Sequence, residues 1–502
     1  MMEAKAFIAD FFFISFSAFL ISFLLTPIIR KKCQKKQIFD IPCLPRKIHP
    51  YPIPRLGGIA IYFSFFLPLF AYFLGKTESD AFLGQHFGTL ASLLITSSLV
   101  FAIGVYDDIR GATVPQKLSV QFFAALLLYF FGFKSQLISI PFFGSESLGF
   151  LSFPVTVLWV IGITNAINFI DGIDGLACGV GFFAASTMLI LALILQNPLT
   201  AIFAAALAGG ILGFSYYNFS PASIFLGDSG SLFIGFIIAT ISLQGSQKSS
   251  TVVILLIPII ALGIPIADTL LAIIRRVGNG HSPFKADKDH IHHRLLRLGL
   301  SSRQVTLLLY TICILLGVTA LSMTAVNNRL LTLILLILGA TIIGGMKILG
   351  YTADMLQMNA MARERIEQKK RMMKRQKDAR RVLSILNTAN SFVDLQQCTE
   401  KYFSLLDFDA VVFSISNSEN GNGNLQCRWQ SPGYEEIPED QFWTMKIPLV
   451  FSCAPQGELQ TRKAVSANIA YLEDMIMIEN FKVAAERVLS RIWEDKGTPL
   501  QG

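Results

Sequence analysis

The sequence predicts an α-helical polytopic membrane protein of about eleven transmembrane helices, followed by a small C-terminal cytoplasmic α/β domain. Three observations predict it. Hydrophobic residues make up 53% of the 502 and charged residues 15%, with a mean hydropathy of +0.54, which is the composition of a polytopic membrane protein and not of a large soluble enzyme. Apolar stretches of bilayer-crossing length follow one another from residue 7 to residue 350. Past residue 351 the chain turns polar and basic.

At about 20 apolar residues per span, the candidate spans are 7–29, 56–75, 87–106, 118–133, 151–169, 176–195, 199–217, 230–244, 251–274, 305–323 and 330–350. The first is followed by Arg30, Lys31, Lys32, Lys35 and Lys36. A secretory signal carries its positive charge first, so this segment is expected to stay, with its N-terminus outside. Alternation then places 30–55, 107–117, 170–175, 218–229, 275–304 and everything after 351 in the cytoplasm. The first and fifth of these loops are strongly basic, as the positive-inside bias requires. The net charge of +8 lies in such loops and in one linker, where topology and anionic lipid explain it, so no nucleic-acid partner is expected. Seven cysteines, at 33, 43, 178, 313, 398, 427 and 453, have neither a metal spacing nor the pattern of a disulfide framework.

The domain division is 1–351 for the membrane part, 352–389 for a basic helical linker and 390–502 for a soluble module. The linker carries a dense Lys/Arg run at 363–381, which suits an exposed or membrane-surface helix. In the module, 390–406 reads as a helix, 410–416, 424–430 and 442–451 as strands, and 467–493 as a long amphipathic helix. That order loosely resembles the GAF type of small-ligand sensor module, but no binding motif accompanies it, and an interaction or dimerisation domain is the favoured reading.

Every unusual polar cluster falls on the predicted cytoplasmic face, as loops assembling one active-site mouth would. The central one is 165–179, NAINFIDGIDGLACG, with Asn165 and Asn168 three apart and Asp171 and Asp174 three apart, so each pair shares a side of one helical turn. Asp107 and Asp108 end an apolar run. Such a pair either holds a magnesium-bound diphosphate and supplies a base or caps a helix. Lys117, with Gln121 one turn on, suits a phosphate oxygen. Asp228 stands in FLGDSGS between Gly227 and Gly230, where a helix N-terminus and small residues let a phosphate approach. His290, His292 and His293, three of six histidines, precede Arg294; that arginine favours an anionic phosphate or sugar ligand over a metal. Lys47, His49 and Arg55 form a basic arm before Gly57 and Gly58. No Walker or Rossmann motif is present. The chemistry this set suits is transfer of a phosphoryl-linked group from a soluble diphosphate to an acceptor reached from the lipid.

These motifs resemble those of the polyprenyl-phosphate N-acetylhexosamine-1-phosphate transferases, over about residues 1–350 and not over the C-terminal module. The resemblance implies transfer of N-acetylhexosamine 1-phosphate, foremost GlcNAc 1-phosphate, from a UDP-N-acetylhexosamine to undecaprenyl phosphate. UMP would leave, and the first lipid-linked sugar of a cell-surface polysaccharide, such as lipopolysaccharide O-antigen, would remain. It implies magnesium, with manganese as a substitute, held by Asn168 and Asp228. Asp107 and Asp108 match an aspartate pair, one of which deprotonates the lipid phosphate, and Lys117 matches a contact to the sugar-nucleotide diphosphate. Asn165, Asp171 and Asp174 match the nucleotide-sugar cleft, and His290, His292, His293 and Arg294 the loop that recognises its sugar end.

The expected setting is a bacterial inner membrane, with the active site and C-terminal domain cytoplasmic, and the further partners are a second copy or a downstream glycosyltransferase. In DHIHHRLL, Ile291 interrupts the histidines. The peptidoglycan branch, which transfers phospho-MurNAc-pentapeptide, usually has three consecutive histidines there, so it stands as the alternative. A transporter or a membrane sensor is the rival of a different class. A transporter predicts polar residues at mid-span and on both faces, and a sensor predicts transmitter residues after 390.

Overall fold

The computed structural model describes residues 2–40, 52–75, 81–135, 137–140, 144–246, 252–278, 289–325, 328–348, 350–416, 425–431, 434, 438, 442–450, 456–464 and 471–495. The chain divides into two compact units, Met1–Asn359 and Ala360–Gly502.

The first unit is mostly helical. It opens with α1 (Met2–Lys35), the strand pair β1 (Phe39–Asp40) and β2 (Ile53–Pro54), then α2 (Gly58–Gly75), α3 (Ala81–Arg110) and α4 (Val114–Phe130). A hairpin of β3 (Leu137–Ile140) and β4 (Gly144–Ser147) leads to α5 (Ser152–Ile170), α6 (Leu176–Ile194), α7 (Pro198–Asn218) and α8 (Gly227–Ser246). The unit continues with α9 (Val252–Ala261), α10 (Gly263–Gly278), the short α11 (Ile291–Arg297), α12 (Ser302–Ser322) and α13 (Asn328–Ile348). Helix α14 (Tyr351–Leu386) passes into the second unit.

Seven helices among the described residues are long and apolar enough to cross a membrane, and Gly58–Leu74, Val114–Phe130 and Thr332–Ile348 are shorter apolar helices. The protein is a multi-pass membrane protein. Its helices α7 and α8 are the innermost, with most of each span buried, while α1 turns Phe12, Phe16, Leu20 and Leu24 outward. Those exposed side chains meet lipid in a membrane and cost nothing there.

One expected span differs. The stretch 251–274 is two helices, α9 and α10, parted at Leu262. Pro265 has no N–H to give to the carbonyl of Ala261, and its ring crowds that carbonyl, so the helix stops and restarts. Only a short joint, residues 195–197, separates α6 from α7. There Asn197, 2% exposed, accepts the N–H of Thr200 as the N-cap of α7.

The second unit is built on the end of α14, then α15 (Phe392–Leu405), β5 (Ala410–Ser416), β6 (Leu425–Gln430), β7 (Phe442–Val450), β8 (Gln456–Ala464) and α16 (Tyr471–Asp495). The strands form one antiparallel sheet in the order β6-β5-β8-β7. Its inward face, Val411, Phe413, Ile415 and Leu459, packs with Tyr402, Phe403 and Phe481 of the helices into a core separate from that of the first unit.

Candidate active site

The site is organised by the first turn of α8. A helix N-terminus leaves backbone N–H groups without partners, and here a remote carboxylate satisfies them. Asp108, at the end of α3 and 7% exposed, accepts the N–H of Asp228 on Oδ1 at 2.9 Å. Its Oδ2 accepts the N–H of Ser229 at 3.0 Å and the Ser229 hydroxyl at 2.6 Å. Gly227 makes this possible: its φ is +74°, and a Cβ there would run into the Asp108 carboxylate. The same turn is wedged between α2 and α3. A side chain at Gly58 would overlap the backbone nitrogen of Gly230, and one at Gly104 would come within 2.6 Å of Ser229 Cα.

With α8 fixed, the Asp228 side chain meets two residues from other segments. Lys117, in the first turn of α4, gives its ammonium to Asp228 Oδ2 at 2.6 Å and lies 3.3 Å from Asp107 Oδ2. Asp107 also accepts the N–H of Ala112 at 2.6 Å, which folds the α3–α4 turn over it. All three side chains keep part of their surface open, at 17–25%. The adjacent aspartates therefore differ in use: Asp108 holds the helix, while Asp107 faces the cation.

From α5, Asn168 donates to Ser231 at 2.8 Å, and Ser231 donates to the carbonyl of Gly227. Its carbonyl oxygen Oδ1 has no partner among the described residues. Asp171 follows α5 directly. Removal from water raises its pKa well above the ordinary carboxylate value, the charges of Asp228 and Asp108 add to this, and Arg55 opposes it. Arg55 is itself paired with Asp40 at 2.7 Å. Lys47 and His49 lie outside the described residues.

The histidine loop reaches the cleft from α11. His292, 2% exposed, lies on Gly172, and its Nε2 has no hydrogen-bond partner among the described residues. Burial, then the neighbouring His293, lowers its pKa to about 3, so it is neutral in ordinary conditions. His293 is lowered too, by burial and by the charges of His290 and Arg297. Arg294 binds Asp289 at 3.1 Å, and Arg297 binds the same carboxylate. Burial alone would raise the Asp289 pKa; the hydrogen bond from Arg297 and the charges of Arg294, Arg297 and Arg275 override it and hold it below the usual range.

Residues 90–246 match Glycosyl transferase family 4. A probable undecaprenyl-phosphate N-acetylglucosaminyl 1-phosphate transferase of Bacillus subtilis (strain 168) is 37% identical over 327 residues, covering 64% of this chain and 88% of that protein. The chain belongs to glycosyl transferase family 4. A decaprenyl-phosphate N-acetylglucosaminephosphotransferase of Mycobacterium leprae is 34% identical over 325 residues, 60% of this chain and 80% of that one. A phospho-N-acetylmuramoyl-pentapeptide-transferase of Clostridium beijerinckii is 34% identical over 269 residues, 50% and 76%.

In this glycosyl transferase family 4 chain, the α3–α4 turn and the start of α8, 111 residues apart at Lys117 and Asp228, bring Asp107, Lys117 and Asp228 together, with Asn168, Asp171 and the histidine loop around them. Besides Asp108, two predicted site residues are engaged in holding structure. Asn165 exchanges hydrogen bonds with Gln121 and donates to the carbonyl of Ile161. Asp174 accepts the N–H of Ala222 at 2.9 Å, and its carbonyl takes the hydroxyl of Thr306, which braces the loop before α8.

Sequence reasoning missed Asp268 of α10. It is 1% exposed and binds His290 Nδ1 through Oδ2 and the N–H of Ile291 through Oδ1, both at 2.8 Å. A lone acid within an apolar run is a signal for it.

Proposed function

We propose that the chain transfers N-acetylglucosamine 1-phosphate from UDP-N-acetylglucosamine to undecaprenyl phosphate and releases UMP. The observation that carries this is the convergence of Asp107, Lys117 and Asp228 at the first turn of α8, in a membrane unit of this family. In the reaction an oxygen of the lipid phosphate attacks the phosphorus that bears the sugar. The bond from that phosphorus to the UMP oxygen breaks, and the sugar–phosphate bond is untouched.

Asp107, partly open and beside the ammonium, is placed to take a proton from the lipid phosphate. Lys117 offers a compact positive charge to the diphosphate, and the first turn of α8 adds a favourable dipole. Asp108 acts by holding that turn. Arg294 and the histidines take the sugar end.

Magnesium suits these residues. Asn168 Oδ1 and the Asp171 carboxyl group have no hydrogen-bond donor among the described residues, and like the Asp228 carboxylate they offer oxygen atoms, the donors magnesium prefers. Magnesium takes one or two protein carboxylates and fills its shell with water and substrate phosphate. Asn168 and Asp228 would hold it, and it would neutralise charge on the diphosphate.

The loops of this cleft are assigned to the cytoplasmic side of the bacterial inner membrane, where basic residues concentrate. N-acetylglucosamine is favoured over a MurNAc-pentapeptide because Ile291 separates the histidines and because the B. subtilis relative matches over more of the chain.

The test uses purified full-length protein in detergent with magnesium and undecaprenyl phosphate. UDP-GlcNAc, UDP-GalNAc and UDP-MurNAc-pentapeptide are supplied separately, UMP is measured, and Asp228→Ala is the control. Magnesium-dependent UMP from UDP-GlcNAc, absent in the variant, supports the proposal; UMP only with another sugar nucleotide, or with none, overturns it.

A further inference from the structure

The three histidines of the loop are chemically unlike. His292 is buried and neutral on Gly172, His293 is half-buried, and His290 alone has a carboxylate on its ring. The rings of Phe169, His290 and His292 stack in a row, with His290 and His292 interplanar by 2° at 5.8 Å. That stacking fixes the plane of His290 but leaves open which nitrogen carries the proton. Asp268 decides it.

We propose that Asp268 is a positioning residue for the reaction: it sets the tautomer of His290 and pins the entry to α11, so that Nε2 is the atom offered to the phosphate–sugar end of the sugar nucleotide. The inference rests on the reaction proposed above. Two donors converge on this carboxylate. The Ile291 N–H goes to Oδ1, and the His290 ring nitrogen lies 2.8 Å from Oδ2. An ionised carboxylate only accepts, so Nδ1 bears the hydrogen and Nε2 is left over. Nε2 has no partner among the described residues. Because Asp268 is 1% exposed and belongs to α10, packed against α5 and α12, the loop is anchored to a packed helix in addition to its own Asp289–Arg294 pair.

Asp268→Asn is the informative change, since it keeps size and shape but offers one oxygen where two are needed. The backbone N–H of Ile291 cannot change its role, whereas an imidazole can move its proton. The asparagine oxygen therefore goes to Ile291, its NH2 faces Nδ1, and His290 shifts to the Nε2–H form. The same logic separates a tautomer defect from a packing defect in catalytic triads.

The experiment uses the full chain in lipid nanodiscs. Solid-state 15N spectra of histidine-labelled protein report the tautomer without substrate, and UMP release gives kcat and KM for UDP-GlcNAc and for undecaprenyl phosphate. The expected result is Nδ1–H in the wild type and Nε2–H in Asp268→Asn, with an unchanged melting temperature. The same variant is expected to lose about tenfold or more in kcat/KM for the sugar nucleotide, with the KM for the lipid unchanged. His290→Gln combined with Asp268→Asn should be no worse than His290→Gln alone.

Losses that multiply in the double variant, an unmoved tautomer, or a sugar-nucleotide kcat/KM within about twofold of wild type would each overturn the proposal. If the wild type releases no UMP from any UDP-sugar, the proposed reaction fails, and the 15N spectra still decide whether Asp268 sets His290.

Discussion

The carboxylate of Asp108 caps the helix that presents Asp228: its Oδ1 accepts the Asp228 N–H at 2.9 Å, and its Oδ2 takes both donors of Ser229. Adjacent aspartates thus do different work. Removing Asp108 orphans three donors in a buried place, at a cost of about 2 kcal/mol or more, and frees the turn that aims Asp228. Asp108→Ala is expected to lower the melting temperature in detergent and abolish UMP release. Asp107→Ala should abolish UMP release with little change in melting temperature. Equal thermal shifts in the two variants would show that the division of roles is wrong.

Lys117 links Asp228 and Asp107 through one ammonium, at 2.6 and 3.3 Å. A point charge on a flexible stem fits between two carboxylates and can turn to an incoming phosphate; a planar guanidinium is wider and directional. Lys117→Met should reduce turnover by about 100-fold, and Lys117→Arg should recover only part of it. Initial rates of UMP release measure both. A fully active arginine variant would mean that charge alone matters here.

Much of the site was legible because polar residues at the ends of apolar runs are costly and therefore conspicuous. Asp107, Lys117, Asn168, Asp171 and Asp228 stood out in this way, and the structure brings them to one cleft. Adjacency in sequence could not divide Asp107 from Asp108, since which carboxylate meets α8 depends on packing between α3 and α8. Asp268 was hidden inside the stretch taken as one span, and its partner His290 lies 22 residues away. Pro265 marks the break in that span, but the apolar run continues across it and hides the mark. Strand β8 (QGELQTRKA) was missed for a different reason. It lacks apolar alternation, and it is a strand because β5 and β7 pair with it on both sides.

The approach of α2 to α8 depends on Gly58, where an added Cβ would overlap the backbone of Gly230. Backbone cannot swing aside as a flexible side chain can, so Gly58→Ala must push two helices apart, at an overpacking cost of about 1–3 kcal/mol. Gly88 is the matched control, because it lies in α3 with nothing within 4 Å of a Cβ, and alanine favours a helix over glycine. Thermal denaturation should show Gly58→Ala destabilised and Gly88→Ala unchanged or slightly stabilised. Activity should fall only in the first.

His292 makes stability depend on acidity in a direction that can be worked out. Its pKa is about 3 in the folded chain, lowered by burial and by His293, against an ordinary value of 6.5. Above pH 6.5 both states are neutral and the group contributes nothing to the difference. As pH falls below 6.5 the unfolded chain takes up the proton and the folded chain does not, so stability falls until about pH 3, where the folded chain is protonated too. Between pH 7 and pH 5 this amounts to about 2 kcal/mol. His293, lowered in the same direction, adds to the slope. Melting temperatures measured at pH 7 and pH 5 should therefore fall on acidification in the wild type and fall less in His292→Gln, which has no proton to gain. A variant with the wild-type slope would mean that His292 is solvated in the folded protein, and the contact with Gly172 would have to be abandoned.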